Sequence, residues 1–281
     1  KGCNFILTNG GAMKDYWGIG KASQPMLPSI MIPTTAGTGS ECQSFALIAD
    51  NATHQKMACG DPKAMAKVAI LDPELTLSQP PRVTACTGID AIAHAVETAV
   101  TRKRNETSLK YSRAAFQIML ESFSRVLESP DDLHARGQML LGAAYAGTAI
   151  EHSMLGAAHS AANPLTAHYN VVHGQAVGMM LPHVVRFNAA DAAIAEAYAE
   201  FVEGTSVAAT NGTPAPESLA RSLETILDIA HLPRDLTAFG VDAARLDLLS
   251  EEAAGQWTAS FNPRDITAGD FKGLYQKAFA S

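Results

Sequence analysis

The texture of this chain changes once, and the change limits what it can fold into. Before LTLSQPP (roughly residues 75–82) the apolar runs are short and bounded by Pro, Gly, Asn and Asp. After it they are long and recur with a helical period. Four strands are predicted in the first part. They are Ile30–Ile32 between prolines, Ser44–Asp50, His54–Gly60, and Lys67–Pro73 stopped by Asp72-Pro73. Asn51-Ala52 suggests a hairpin between the second and third, and Asn9–Gly11 is a turn signal. Beyond Val83 the segments TACTGIDAIAHAVETAV, SLKYSRAAFQIMLESFSRVLES, DLHARGQMLLGAAYAGTAIEHSMLG, VHGQAVGMMLPHVVRFNAA, AAIAEAYAEFV and ESLARSLETILDIAHL read as helices, with shorter ones after them. The expectation is an α/β N-terminal portion, residues 1–77, and an all-α C-terminal domain, residues 78–281.

Composition excludes several classes. The 281 residues suffice for two domains. With 47% hydrophobic and 17% charged residues, the chain must bury a core rather than stay disordered. A net charge of -7 without a basic block argues against nucleic acid as a partner. No run of apolar residues is long enough to span a membrane. Cys3, Cys42, Cys59 and Cys86 are scattered with no CxxC, which argues against a disulfide framework and a zinc–thiolate site and suits free thiols in a cytoplasmic protein. The first residue is Lys1 rather than Met, and the opening segment is not a signal peptide, so further sequence is expected ahead of it.

Histidine and aspartate carry the chemistry. Asp90 and His94 are four apart on a predicted helix and share a face. His159 and His173 flank AAHSAANPLTAHYNVVHG, a region almost without charge. One carboxylate and three imidazoles could form the inner shell of a divalent metal, and the donor set suits Fe2+ or Zn2+ equally. The competing reading is a helix-start aspartate with packed histidines. His168 is a spare candidate for the substrate side, or a packed histidine with a hydrogen-bonding partner. His183, in an apolar helix, either faces a cofactor or belongs to the core.

PTTAGTGSE follows a predicted strand. Thr34, Thr35, Thr38 and Ser40 offer hydroxyls, while Gly37 and Gly39 allow close backbone approach to a ligand. The segment is neither GxGxxG nor a Walker loop. It reads as a wall against a nucleotide or as an ordinary strand-to-loop turn. Lys56 is an anion contact or a solvated strand residue.

Taken together, LTNGGAMKDYWG, PMLPSIMIPTTAGTGSE, HQKMACGDPKAMAKVAILDPELT, TGIDAIAHAVE, GAAHSAANPLTAHYNVVHG and FNPRDIT resemble the iron-containing (group III) alcohol dehydrogenases, in the family's order along the chain. The resemblance implies a Rossmann-like NAD(P)-binding α/β domain, incomplete here, beside a helical domain in a dehydroquinate-synthase-like architecture. It places the metal ligands on Asp90, His94, His159 and His173. It places the cofactor contacts on Thr34, Thr35, Gly37, Thr38, Ser40 and Lys56. It further implies a small alcohol or aldehyde substrate, with primary alcohols and diols foremost, and a homo-oligomer, commonly a dimer.

Two departures follow from the same resemblance. Asn163 stands where many members carry a second histidine that relays a proton, and an amide does not titrate near neutrality. The family's GGGSxxDxxK phosphate loop has no counterpart, with Lys1 at the position of its lysine, so the N-terminal portion is expected to be lacking. Three alternatives stand beside the alcohol dehydrogenase: a cofactor-impaired fragment that binds metal without turnover, a glycerol-dehydrogenase-like enzyme, and a lyase of the dehydroquinate-synthase type.

Overall fold

The computed structural model describes residues 1–50, 56–208 and 212–279. The N-terminal region is a small mixed β structure. Helix α1 (Gly2–Asn9) precedes the short strand β1 (Gly18–Ile19), then β2 (Ile30–Met31), β3 (Phe45–Ala49), β4 (Lys56–Gly60) and β5 (Val68–Ala69). Three strands form one sheet in the order β1-β4-β3, with β4 parallel to β1 and antiparallel to β3. Strands β2 and β5 pair in parallel. All four predicted strands are present, with the first, second and fourth shorter than the predicted Ile30–Ile32, Ser44–Asp50 and Lys67–Pro73. The expected Asn51-Ala52 turn and the start of the third strand at His54 lie outside the described residues. Helix α1 and strand β1 were not anticipated. Each is too short to show a period, and Phe5 is the buried residue of α1.

The C-terminal region is entirely helical, as expected, and begins at the double proline. Pro81 is the first residue of α2 (Pro81–Thr98), where its missing N–H costs nothing. Residues 88–98 of α2 are buried without interruption. An amphipathic helix would not do that; α2 is the central helix, packed against α3 (Glu106–Glu128), α4 (Leu133–His152) and α6 (His173–Asn188). Helix α3 presents a regular buried stripe, including Ala115, Phe116, Met119, Phe123 and Val126. Gly142 lets α4 approach it, since a Cβ there would stand 2.3 Å from Met119 Cγ. Helices α5 (Ala157–Tyr169), α7 (Ala192–Val202), α8 (Ala215–Ile229), α9 (Leu246–Ala254) and α10 (Ala268–Ala278) complete the bundle.

One helix differs from its sequence reading. The small-residue segment does not run on toward His159. It stops at His152, breaks at Ser153–Gly156, and restarts as α5. The break places His159 in the first turn of a new helix, with a new direction. Arg136, on α4, ties the two regions together: its buried guanidinium donates to the carbonyl of Thr76 at 2.8 Å and to that of Pro130.

Candidate metal centre and cofactor cleft

Three helices meet at the predicted ligands. Asp90 and His94 lie one turn apart on α2, with Asp90 Oδ2 3.6 Å from His94 Nε2. The first turn of α5 brings His159 Nε2 to 3.4 Å from Asp90 Oδ1. His173 is the first residue of α6, and its Nε2 lies 3.8 Å from the same oxygen. Gly174 makes this possible, because α6 begins hard against the α2 backbone at Cys86. The rings crowd together, with His94 stacked on His159 at 4.9 Å and His173 tilted against His159 at 5.4 Å.

These groups fit a cation. Ligand atoms of Asp90, His159 and His173 all lie within 4.8 Å of one another. Asp90 Oδ1 and His159 Nε2 are buried and make no hydrogen bond of ordinary geometry. Such atoms are costly unless something of opposite charge sits between them. His94 stands beside this set rather than within it, linked through Asp90 Oδ2.

Electrostatics keep two of the rings in the form that binds metals. Burial pushes His94 down to about 4 and His173 down to about 3, against the pull of Asp90. Both are neutral imidazoles at pH 7. His159 goes the other way. Burial opposes its charge, but the carboxylates of Glu97 and Asp90 overcome that and raise it to about 9. Burial would also raise Asp90, yet the surrounding imidazoles hold it well below the usual carboxylate range.

Glu97, missed in the sequence, is buried behind this set. Its Oε2 lies 2.5 Å from His159 Nδ1 and its Oε1 accepts from Ala158 N–H at 2.7 Å. A signal was available: Glu97 is seven residues from Asp90 and three from His94, so all three share one face of α2.

The centre opens into a cavity of about 560 Å³. Thr38, Ser40 and Lys56 line it, and Lys56 Nζ is 3.3 Å from His173 Nδ1. Burial lowers the Lys56 ammonium, with Asp90 opposing. The far wall is apolar, formed by Phe45, Ile150, Met154, Leu155 and Trp257. Of these, Ile150 and Leu155 lie just before the second histidine cluster in the sequence, while Phe45 and Trp257 come from distant segments that no spacing connects. Asn163 also lines the cavity, with its Nδ2 donating to Gln256 Oε1 at 3.0 Å.

The remaining predicted residues lie elsewhere. His168 points to α9, bonded to Glu252 at 2.8 Å and facing Arg245, and does not line the cavity. Thr34 is exposed, and Thr35 lines a separate cavity of about 20 Å³ beside Arg136, with room for about one water. Gly37 and Gly39 have a packing reason. A Cβ on Gly37 would fall 2.6 Å from the Thr87 Cβ on α2, and one on Gly39 would fall 2.6 Å from the Ala143 carbonyl on α4. Gly39 also has φ +57°, a left-handed backbone suited to glycine. The loop is glycine-rich because it lies directly on two helices. His183 is in the buried core of α6.

Known proteins agree with this architecture. Residues 84–279 match the model of the Fe-containing alcohol dehydrogenase family, C-terminal, and residues 1–73 match that of iron-containing alcohol dehydrogenase. This chain belongs to the iron-containing alcohol dehydrogenase family, whose members are metal-dependent oxidoreductases that use NAD(P). The expectation that the N-terminal portion is lacking is thereby corrected, since the family's N-terminal region is represented in residues 1–73. The NAD-dependent methanol dehydrogenase of Bacillus methanolicus is 32% identical, over 99% of this chain and 73% of its own length. Alcohol dehydrogenase 4 of Schizosaccharomyces pombe is also 32% identical, over 99% of this chain and 65% of its own. Among solved structures, 1,3-propanediol oxidoreductase superposes with a TM-score of 0.88 at 28% identity, covering 99% of this chain and 73% of that one. An alcohol dehydrogenase from Oenococcus oeni gives 0.89 at 29% identity, covering 99% and 72%.

Proposed function

We propose that the chain interconverts a small primary alcohol or diol and its aldehyde with NAD(P), at a divalent metal held by Asp90, His159 and His173, with His94 closing in from beside them as the fourth ligand. The observation that carries this reading is the meeting of one aspartate and the histidines of three helices at the mouth of a half-apolar cavity. A bound divalent cation supplies Lewis acidity, lowering the pKa of an alcohol or polarising a carbonyl. Fe2+ fits the family, and Zn2+ suits the same donors.

The chain's own residues supply placement. Asp90 brings the negative charge that keeps a cation among neutral rings. Phe45, Ile150, Met154, Leu155 and Trp257 exclude water from the reacting carbon and hold a short carbon chain. Thr38, Ser40 and Lys56 form the polar side, where a nicotinamide nucleotide would lie. Thr34, Thr35 and Gly37 support that side from behind rather than from its lining. Asn163 can orient a hydroxyl but cannot take its proton, so proton exchange at this position falls to solvent.

Several finer points belong to the same reading. The division of labour is 1–77 for the cofactor and 78–281 for the metal. Methanol and 1,3-propanediol, the alcohols in the names of two of these relatives, both fall within this substrate class. Among the described residues the cavity lining holds Lys1 and Lys56 but no arginine, so no planar guanidinium is placed to clamp an acid substrate. A homo-oligomer is supported by exposed apolar side chains around the β2–β5 pair, among them Leu27, Ile30, Ile32 and Val68. A cytoplasmic setting is supported by four cysteines without a disulfide. Among the described residues no helix is long and apolar enough to cross a membrane.

The test is a panel of alcohols and aldehydes against NAD and NADP, using protein loaded with Fe2+ or Zn2+. Metal-dependent change in nicotinamide absorbance is expected. Its absence with every pair, in protein that has bound metal, would refute the reading.

A further inference from the structure

We propose that Glu97 is a positioning residue that fixes the tautomer and direction of His159 and so sets the affinity of the metal centre. This rests on the reading above and goes beyond the ligand set. The observation is that one buried carboxylate serves two groups of the same short helix turn. Its Oε1 accepts from the backbone N–H of Ala158 at 2.7 Å, and its Oε2 meets His159 Nδ1 at 2.5 Å. With Oε1 held by a backbone donor, Oε2 is left to face the ring. A carboxylate can only accept, so the ring must present Nδ1–H. Nε2, which lies 3.4 Å from Asp90 Oδ1, is then the nitrogen whose proton a cation displaces, leaving its lone pair for the metal. Carboxylates in this position raise the basicity of a ligating imidazole and hold its plane.

The surroundings show that Glu97 itself is held. Gly156 leaves room for it, since a Cβ there would stand 3.1 Å from Glu97 Oε1 and 3.2 Å from Asn262 Oδ1. Asn262, from the FNPRDIT motif, faces the N–H of Ala157 at 3.4 Å and exchanges hydrogen bonds with Asn188. The start of α5 therefore has two side-chain acceptors from different parts of the chain. Asn262 docks the helix end. Glu97 docks it and also touches the ligand. The seven-residue interval from Asp90 to Glu97 is about two helical turns, so a single helix face supplies both a ligand and the support of a ligand from another helix.

The experiment uses the full chain and Co2+ as the probe, with affinity measured against a competing chelator and the bound ion followed by its visible absorption. Glu97→Gln can still accept from Ala158 with its oxygen, but it then offers an N–H to His159 and favours the wrong tautomer. The expected result is a loss of about 10–100-fold in Co2+ affinity and a changed Co2+ spectrum, with the far-ultraviolet circular dichroism retained. Asn262→Ala, which removes the other helix-end acceptor, is expected to lower the melting temperature and leave Co2+ affinity within about twofold of the wild type. Glu97→Gln protein with wild-type affinity and spectrum overturns the proposal while the metal reading stands. If Glu97→Gln does not fold, nitrogen-15 NMR of the histidine rings in the wild-type Zn2+ form decides: Nδ1–H on His159 supports the proposal and Nε2–H overturns it. Asp90→Asn protein that binds Co2+ as tightly as the wild type would instead sink the metal reading itself.

Discussion

A Cβ added to Gly174 would stand 1.9 Å from the carbonyl oxygen of Cys86. That contact is backbone against backbone, so no side-chain rotation relieves it. Gly174→Ala must push the start of α6 away from α2 and carry His173 with it. Overpacking of this kind costs about 1–3 kcal/mol. The expected outcome is a lower urea midpoint together with reduced metal content, measured by elemental analysis. Full metal occupancy with unchanged stability would show that α6 has slack there.

His173→Ala removes a ligand without touching that contact. Metal content is expected to fall to a small fraction of the wild type, and turnover with it, while the helical circular dichroism persists. The pairing with Gly174→Ala is informative, because one variant displaces the ligand and the other deletes it.

The metal-free protein should lose stability as pH falls from about 6.5 toward 4. His94, His173 and His183 are held below the ordinary histidine value, at about 4, 3 and 4, mainly by burial. In that window the unfolded chain binds protons that the folded chain does not, so protons favour unfolding. His159 acts oppositely. Raised to about 9, it adds stability below the ordinary value of 6.5 that is lost as pH climbs through 9. Denaturant midpoints measured from pH 4 to 9.5 are expected to show a maximum between these limbs. A flat acid limb would contradict the burial of these rings.

Arg136→Met should destabilise without emptying the metal site. The carbonyls of Thr76 and Pro130 would lose their donor, at about 1–3 kcal/mol for each one left buried. A lowered urea midpoint with wild-type metal content is the expected pair of results.

Leu155→Ala should relax the apolar wall. Pocket contacts are worth about 1–3 kcal/mol per methylene. The ratio of kcat/KM for a pentanol to that for ethanol is expected to rise about tenfold or more. An unchanged ratio would mean that Leu155 packs the helix end and does not meet the substrate.

The sequence was legible where chemistry and periodicity coincide. Asp90 and His94 share a helix face because four residues make roughly one turn, and the helix predicted over VHGQAVGMMLPHVVRFNAA begins beside His173. The start of the long helices was equally plain, since Pro81 opens α2. Glu97 went unseen because a glutamate on a helix is ordinarily solvent-facing, and its burial is set by the restart of α5 some sixty residues later. Phe45 and Trp257 share a cavity wall through tertiary packing alone. The glycines of the Thr/Gly loop mark close backbone approach in the sequence, without saying to what. Their partners are the helices beneath them, and a glycine reports only that something comes close.

The meeting of Gly39 and Gly147 has a mechanical consequence. A Cβ on Gly147 would lie 2.2 Å from the Gly39 carbonyl oxygen, so no layer of side chains separates the loop from α4. Interfaces that slide do so on interlocking side chains that can change rotamer; bare backbones in contact have no such bearing. The segment around Gly39 is thus geared to the helical body and must travel with it. If the two halves of this molecule rock against each other as ligands enter, the pivot lies outside that segment, and Thr38 and Ser40 keep their distance from the histidines throughout the stroke.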